Sequence, residues 1–79
     1  MEKTLSEVGV WQGGIVVGFA KTTTSYRQKL LAMGLIKGTS FRVTRVAPMR
    51  DPVEIQVRDY SLSLRREEAK ILLVKEVGQ

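Results

Sequence analysis

The stretch from Ser25 to Gly38, Ser-Tyr-Arg-Gln-Lys-Leu-Leu-Ala-Met-Gly-Leu-Ile-Lys-Gly, carries a helix start and a helix stop together, and no other segment of the chain does. Ser25 and Gln28 have the S-x-x-Q spacing of a capping box, in which the hydroxyl accepts the Gln28 N–H and the Gln28 side chain reaches back. Tyr26, Leu30 and Met33 recur at i, i+4 and i+7 and so share one face. Gly34 stands where a left-handed C′ residue is wanted, because without a Cβ it adopts positive φ cheaply. That placement sets Leu35 against Leu30 as the apolar pair of a Schellman motif. The spacing predicts one helix, about Tyr26 to Met33. Everything else then has to be strand, turn or a single helical turn.

A chain of 79 residues is expected to form one domain, residues 1–79, and a domain this small has little apolar burial to spare. Small domains often compensate with disulfides or zinc, but this sequence has no Cys and no His. Apolar packing has to supply the stability. The 8–20 stretch carries no charge, yet it is short of the roughly 20 apolar residues a spanning helix needs. Glu2, Lys3, Thr4 and Ser6 occupy the place of a signal peptide's apolar region, so a soluble protein is expected. Thirteen Lys and Arg against eight Asp and Glu give a net charge of +5. The basic residues are dispersed, which reads as a general surface charge rather than a nucleic-acid footprint.

The remaining chain reads as short strands. Thr4 to Glu7 has T-x-x-E spacing, which fits one helical turn before Gly9. Ile15-Val16-Val17 is rich in β-branched residues and predicts a strand over 14–20, with Gly13-Gly14 as a bend or bulge before it. Lys21 to Thr24 is a polar loop into the helix. Ile36 to Thr39 is a turn, type II with Gly38 supplying positive φ. A strand over 39–47 needs a bulge near Thr44-Arg45, because Phe41 and Val43 lie in one phase and Val46 in the other. Pro48 to Pro52 is a rigid loop. Val53-Ile55-Val57 and Tyr60-Leu62-Leu64 alternate with polar residues and form a tight hairpin about Arg58-Asp59. A short 3-10 or α turn at 66–69 precedes a last strand, Ile71 to Val74, and residues 77–79 are expected to fray. Five short strands with one inserted helix predict a small, strongly bent antiparallel barrel, with Tyr26, Leu30 and Met33 packed over one open end.

General acid–base chemistry at neutral pH most often uses His, and none is present. Glu67 and Glu68 are adjacent and on a helix would diverge by about 100° rather than converge. Asp51, Glu54 and Asp59 match no calcium-loop spacing. Independent catalysis is therefore not expected. Binding remains, and for a basic small barrel the alternative partner is nucleic acid, although Phe41 and Tyr60 alternate as core residues and leave few aromatics for stacking.

Tyr26-Arg27-Gln28-Lys29-Leu30-Leu31-Ala32-Met33-Gly34-Leu35 with Gly38 resembles the helix and turn of FeoA proteins, the small cytosolic components of bacterial ferrous iron transport. Val46 to Ile55 is similar to their proline-bracketed loop and strand, and Tyr60 to Ala69 to their closing hairpin and turn. With Leu5-Ser6-Glu7, the ordered set covers nearly the whole chain. The resemblance implies an SH3-like five-stranded barrel. It also implies an accessory or regulatory role through contact with the membrane ferrous iron transporter FeoB, whose cytosolic portion carries a GTPase domain, at the inner face of the membrane. It implies no cofactor, and no metal ligands are carried over, since the chain has neither Cys nor His. The family often has Pro where this chain has Lys37 and Gly where it has Arg50, and Arg50 would put a charge on the loop tip. The candidate partner surface is Tyr26, Arg27, Leu30, Met33, Gly34 and Leu35 on the helix and its turn, with Met49, Arg50 and Pro52 on the loop. Self-association through an apolar patch or strand edge is a further expectation to be tested.

Overall fold

The computed structural model describes residues 3–21 and 24–77. Its secondary structure is β1 (Lys3–Thr4), a 3-10 turn (Leu5–Glu7), β2 (Gly13–Phe19), α1 (Thr24–Ala32), β3 (Ser40–Val46), a turn at Pro48–Arg50, β4 (Val53–Val57), β5 (Tyr60–Leu64), α2 (Arg66–Ala69) and β6 (Leu72–Val77). The strands form one antiparallel sheet in the order β1-β6-β2-β3-β4-β5. Among the described residues there are six strands rather than five. The additional one is the two-residue β1, which pairs Lys3 with Val74 and Thr4 with Leu73. A pairing that short leaves no periodicity to read.

One face of every longer strand feeds a single core. Val16, Phe41, Val43, Val53, Ile55, Val57, Leu64, Leu72 and Val74 meet there, joined by Leu5, Val8, Leu30, Leu35, Ala69 and Ile71. Strands that all turn one face inward must wrap around that core, which is the geometry of a small barrel. Its end strands β1 and β5 are not paired to each other. Buried Leu5 and Ala69 lie at that seam, where α2 packs against the 3-10 turn.

The local expectations meet varied outcomes. The bulge in β3 falls between Val43 and Arg45, as the phase change requires. The β4–β5 hairpin pairs Val57 with Tyr60, leaving Arg58-Asp59 as its turn, and Arg58 takes φ 56°. Gly13 and Gly14 make no bend. They lie in β2 in regular register with Arg42 and Phe41, and β2's irregularity comes later, between Val16 and Gly18. The absence of a side chain is a matter of space: a Cβ on Gly14 would lie 2.7 Å from the Lys75 carbonyl oxygen and 3.0 Å from the Phe41 ring. β6 is longer than expected, reaching Val77. Thr22 and Thr23 of the expected polar loop, and Gly78 and Gln79 of the expected frayed end, lie outside the described residues.

Candidate functional site

The C-terminal end of α1 is built as the sequence requires. Leu35 N–H donates to the Leu30 carbonyl at 3.1 Å and Gly34 N–H to Leu31 at 3.0 Å, the paired bonds of a Schellman motif. Gly34 takes φ 89°. The next turn closes through Thr39 N–H to the Ile36 carbonyl at 3.0 Å, with Gly38 at φ 96° in its third position. This turn is tied to the barrel by Gly38 N–H to Val16 O and Val16 N–H to Thr39 O.

The start of α1 differs from the expectation. The helix begins at Thr24, so Ser25 lies inside its first turn rather than at the cap. Of the predicted apolar face only Leu30 is fully buried; Met33 packs partly against the core and Tyr26 is 38% exposed. The helix is fixed through its C-terminal half, while its first turns lie on the surface. Leu30 and Leu35 have no surface to offer a partner, since both are fully buried. Arg27 is exposed and lies over the Phe19 ring, its guanidinium carbon 5.7 Å from the ring centroid.

A second correction concerns Tyr60, which alternation assigned to the core. It is 41% exposed, and its hydroxyl donates to the Met33 carbonyl at 3.1 Å, satisfying one of the carbonyls a helix end leaves free. Gly34 makes room for it, because a Cβ there would lie 2.6 Å from the Tyr60 oxygen.

On the 48–52 loop, Met49 (φ 63°) and Arg50 (φ 56°) are consecutive left-handed residues. Met49 is 79% exposed, and Pro52 is exposed beside it. Arg50 does not decorate the loop tip. It turns inward, and its Nη2 donates to the Val8 carbonyl at 2.5 Å, which clamps the loop to the segment after the 3-10 turn. Its buried Nε has no hydrogen-bond partner among the described residues.

The helix and the loop flank α2. Lys29 Nζ pairs with Glu68 Oε2 at 2.5 Å. On the other side, Asp51 Oδ1 accepts the Arg66 N–H at 3.2 Å and lies 3.4 Å from Arg65 Nε. Glu68 also accepts the Arg65 N–H at 2.9 Å, the reach-back half of a capping box. Burial pushes the Glu68 carboxyl up, but the Lys29 hydrogen bond, the Arg65 amide and the two nearby cations outweigh it and hold the group below the usual carboxylate value.

Two features went unread in the sequence. Trp11 is 65% exposed with φ 71°, and the loop around it is densely bonded: Trp11 N–H to Val43 O at 2.6 Å, Arg42 Nη1 to Trp11 O at 2.8 Å, and Gly9 N–H to Gln12 Oε1 at 2.9 Å. The indole borders a shallow concavity of about 590 Å³ with Gly13, Gly14 and Phe41 in its lining. A Trp beside glycines, outside any alternating run, was the available signal. The second feature is a groove of about 440 Å³ at the end of β2, lined by Val17, Gly18, Phe19, Ala20, Lys21, Arg27 and Lys37. Its three cations are too far apart in sequence to stand out as a cluster.

Compared with known proteins, residues 3–76 match the family model described as the FeoA domain. A curated relative from Porphyromonas gingivalis, an Fe(2+) transport protein A/Fe(2+) transporter FeoB fusion protein, is 46% identical over 53 residues, which is 67% of this chain and 6% of that protein. The chain thus spans a small fraction of that relative's length. Among solved structures, a FeoA-like protein from Clostridium acetobutylicum superposes with TM-score 0.88 at 36% identity, covering 99% of this chain and 90% of the other. FeoA of Stenotrophomonas maltophilia, solved with zinc, superposes with TM-score 0.79 at 27% identity over 91% of this chain and 88% of that one. That protein is described as a prokaryotic SH3 domain protein and a candidate activating factor for ferrous iron transport.

Proposed function

This chain belongs to the FeoA family, and from that premise we propose that it is an accessory or regulatory protein of bacterial ferrous iron uptake that acts by direct contact with a FeoB-type membrane transporter. The observation that carries the reading is the fusion relative, in which a FeoA segment and FeoB are one chain. Covalent linkage keeps two modules at a high effective concentration, which favours modules that work on each other.

The protein's part is recognition rather than chemistry. Its contact surface consists of Tyr26 and Arg27 on the exposed turns of α1, the Met33–Gly34 turn, and Met49 and Pro52 on the loop, with α2 between the two groups. Leu30 and Leu35 hold this surface from beneath. Met49 suits the role, since a thioether adapts to an irregular partner surface. No metal is assigned. The chain has no His or Cys, and among the described residues no three acidic side chains converge. Contact is assigned to the transporter's cytosolic portion, and no described helix of this chain is long and apolar enough to cross a membrane.

Capture by the purified cytosolic portion of FeoB tests the reading. The wild-type chain is expected to be retained, and Met49→Asp and Arg27→Glu to lose affinity about tenfold each while remaining folded by circular dichroism. Equal capture of both folded variants removes this surface, and no capture of the wild type removes direct contact with that portion.

A further inference from the structure

The groove at the end of β2 has an arrangement that a general surface charge does not need. Lys21, Arg27 and Lys37 come from three separate segments and line one concavity, and no acidic residue lines it with them. Among the described residues Lys3 is paired with Glu76, Lys29 with Glu68 and Arg65 with Asp51, while the other ten Lys and Arg have no ion pair, so what sets Lys21, Arg27 and Lys37 apart is their convergence on one concavity. The three groove cations have no ion pair among the described residues. Like charges gathered without counter-charge repel one another, and an anion between them removes that cost.

The floor and wall of the groove are also prepared. The register irregularity between Val16 and Gly18 interrupts the β2–β6 ladder at this point, and a Cβ added to Gly18 would meet nothing within 4 Å, so the floor is open. Arg27 rests over Phe19. Stacking on a ring limits the guanidinium's freedom while leaving its edge N–H groups available for a planar, two-point hydrogen bond to phosphate oxygens.

We propose that this groove binds the terminal phosphate of a small phosphorylated ligand, with Arg27 as the bidentate donor and Lys21 and Lys37 as flanking cations. A single concavity favours a compact dianionic group over a polymer, which would need cations strung along a groove to track its backbone. The phosphate can come from a soluble compound such as a nucleoside diphosphate or from a phospholipid headgroup. The inference shares Arg27 with the transporter reading but does not rest on it, since its test uses the purified chain alone and varies Lys21 and Lys37.

The test uses pyrophosphate and GDP as soluble probes, and phosphatidylcholine vesicles with and without phosphatidic acid as the lipid arm. Amide shift changes in nitrogen-15 spectra are expected at residues 17–21, 27 and 37. Lys21→Glu and Lys37→Glu are each expected to weaken binding at least tenfold, while Lys70→Glu, an exposed cation outside the groove, leaves it within twofold. Gly18→Leu fills the floor and is expected to weaken binding with an unchanged melting temperature. Binding in the soluble arm alone identifies a free phosphate compound, and binding in the phosphatidic-acid arm alone identifies a headgroup; either supports the proposal. No binding in both arms at low salt overturns it. So does an equal loss in Lys70→Glu and the groove variants, which would be a net-charge effect, or equally tight binding of poly-glutamate.

Discussion

Gly34 and Tyr60 illustrate how one residue's missing atoms are another's binding site. The Tyr60 hydroxyl reaches the Met33 carbonyl only because no Cβ stands 2.6 Å from its oxygen. Gly34→Ala therefore meets two separate penalties, positive φ and a steric collision, and is expected to cost about 1–3 kcal/mol. In a Tyr60→Phe background the colliding oxygen is gone and the ring carbon is 3.8 Å away, so only the backbone penalty remains. A double-mutant cycle by urea denaturation should then show a positive coupling between the two sites, and strict additivity would refute the contact. The glycine was legible from the sequence because helix termination is local chemistry. The tyrosine was not. Strict alternation carries its side chain to the core face, but it opens β5 directly after the hairpin turn, where its hydroxyl is taken up by the end of α1.

At the scale of elements, α1 is a helix fixed by one end. Leu30 is its only fully buried residue, and the Schellman bonds and the Tyr60 hydroxyl lie at the same C-terminal end. Removing that anchor should release the helix before the sheet. Leu30→Ala is expected to cost about 2–5 kcal/mol, with amide exchange accelerating in residues 25–32 more than in β3 and β4. Uniform acceleration would mean that helix and barrel unfold as one unit. The helix's existence and its end were readable because the apolar spacing and the stop signal are written within a dozen residues, whereas the Ser25 start signal was misplaced, since that residue lies inside the helix. How much of it would be buried was not, because i, i+4, i+7 spacing says which residues share a face but not whether a partner covers its whole length. β1 was invisible for a related reason, as its pairing with β6 joins opposite ends of the chain. The candidate site divides likewise. Arg27 and Met49 are exposed, as the sequence reading requires of a contact surface, but the inward turn of Arg50 depends on the Val8 carbonyl, which no local pattern connects to it.

At the scale of the whole molecule, the buried Glu68 joins α1 and α2 at the barrel's seam. Its carboxyl is held below the usual value, so the pair's contribution to stability is complete above the unfolded-state value of about 4.3 and is lost as pH falls through the lower folded value. Lys29→Met removes the chief lowering influence and leaves burial to act against the Arg65 contacts. The stability gap between wild type and Lys29→Met, measured by chemical denaturation, is therefore expected to be largest near pH 6 and to narrow toward pH 3. A gap that stays constant or widens on acidification would show that the pair contributes nothing through charge. The first and last strands in the sheet order share no hydrogen bonds, so that seam depends on side chains such as Leu5 and Ala69, and the Lys29–Glu68 pair acts beside it by tying α1 to α2.

Trp11 is the chain's sole tryptophan, and it is already wet in the folded state. Its emission should sit near that of free indole whether the barrel is folded or not, which makes it a poor reporter of unfolding. The same exposure makes it a built-in optical label for the face it borders: a molecule that covers the indole shifts its emission to the blue, with no dye attached.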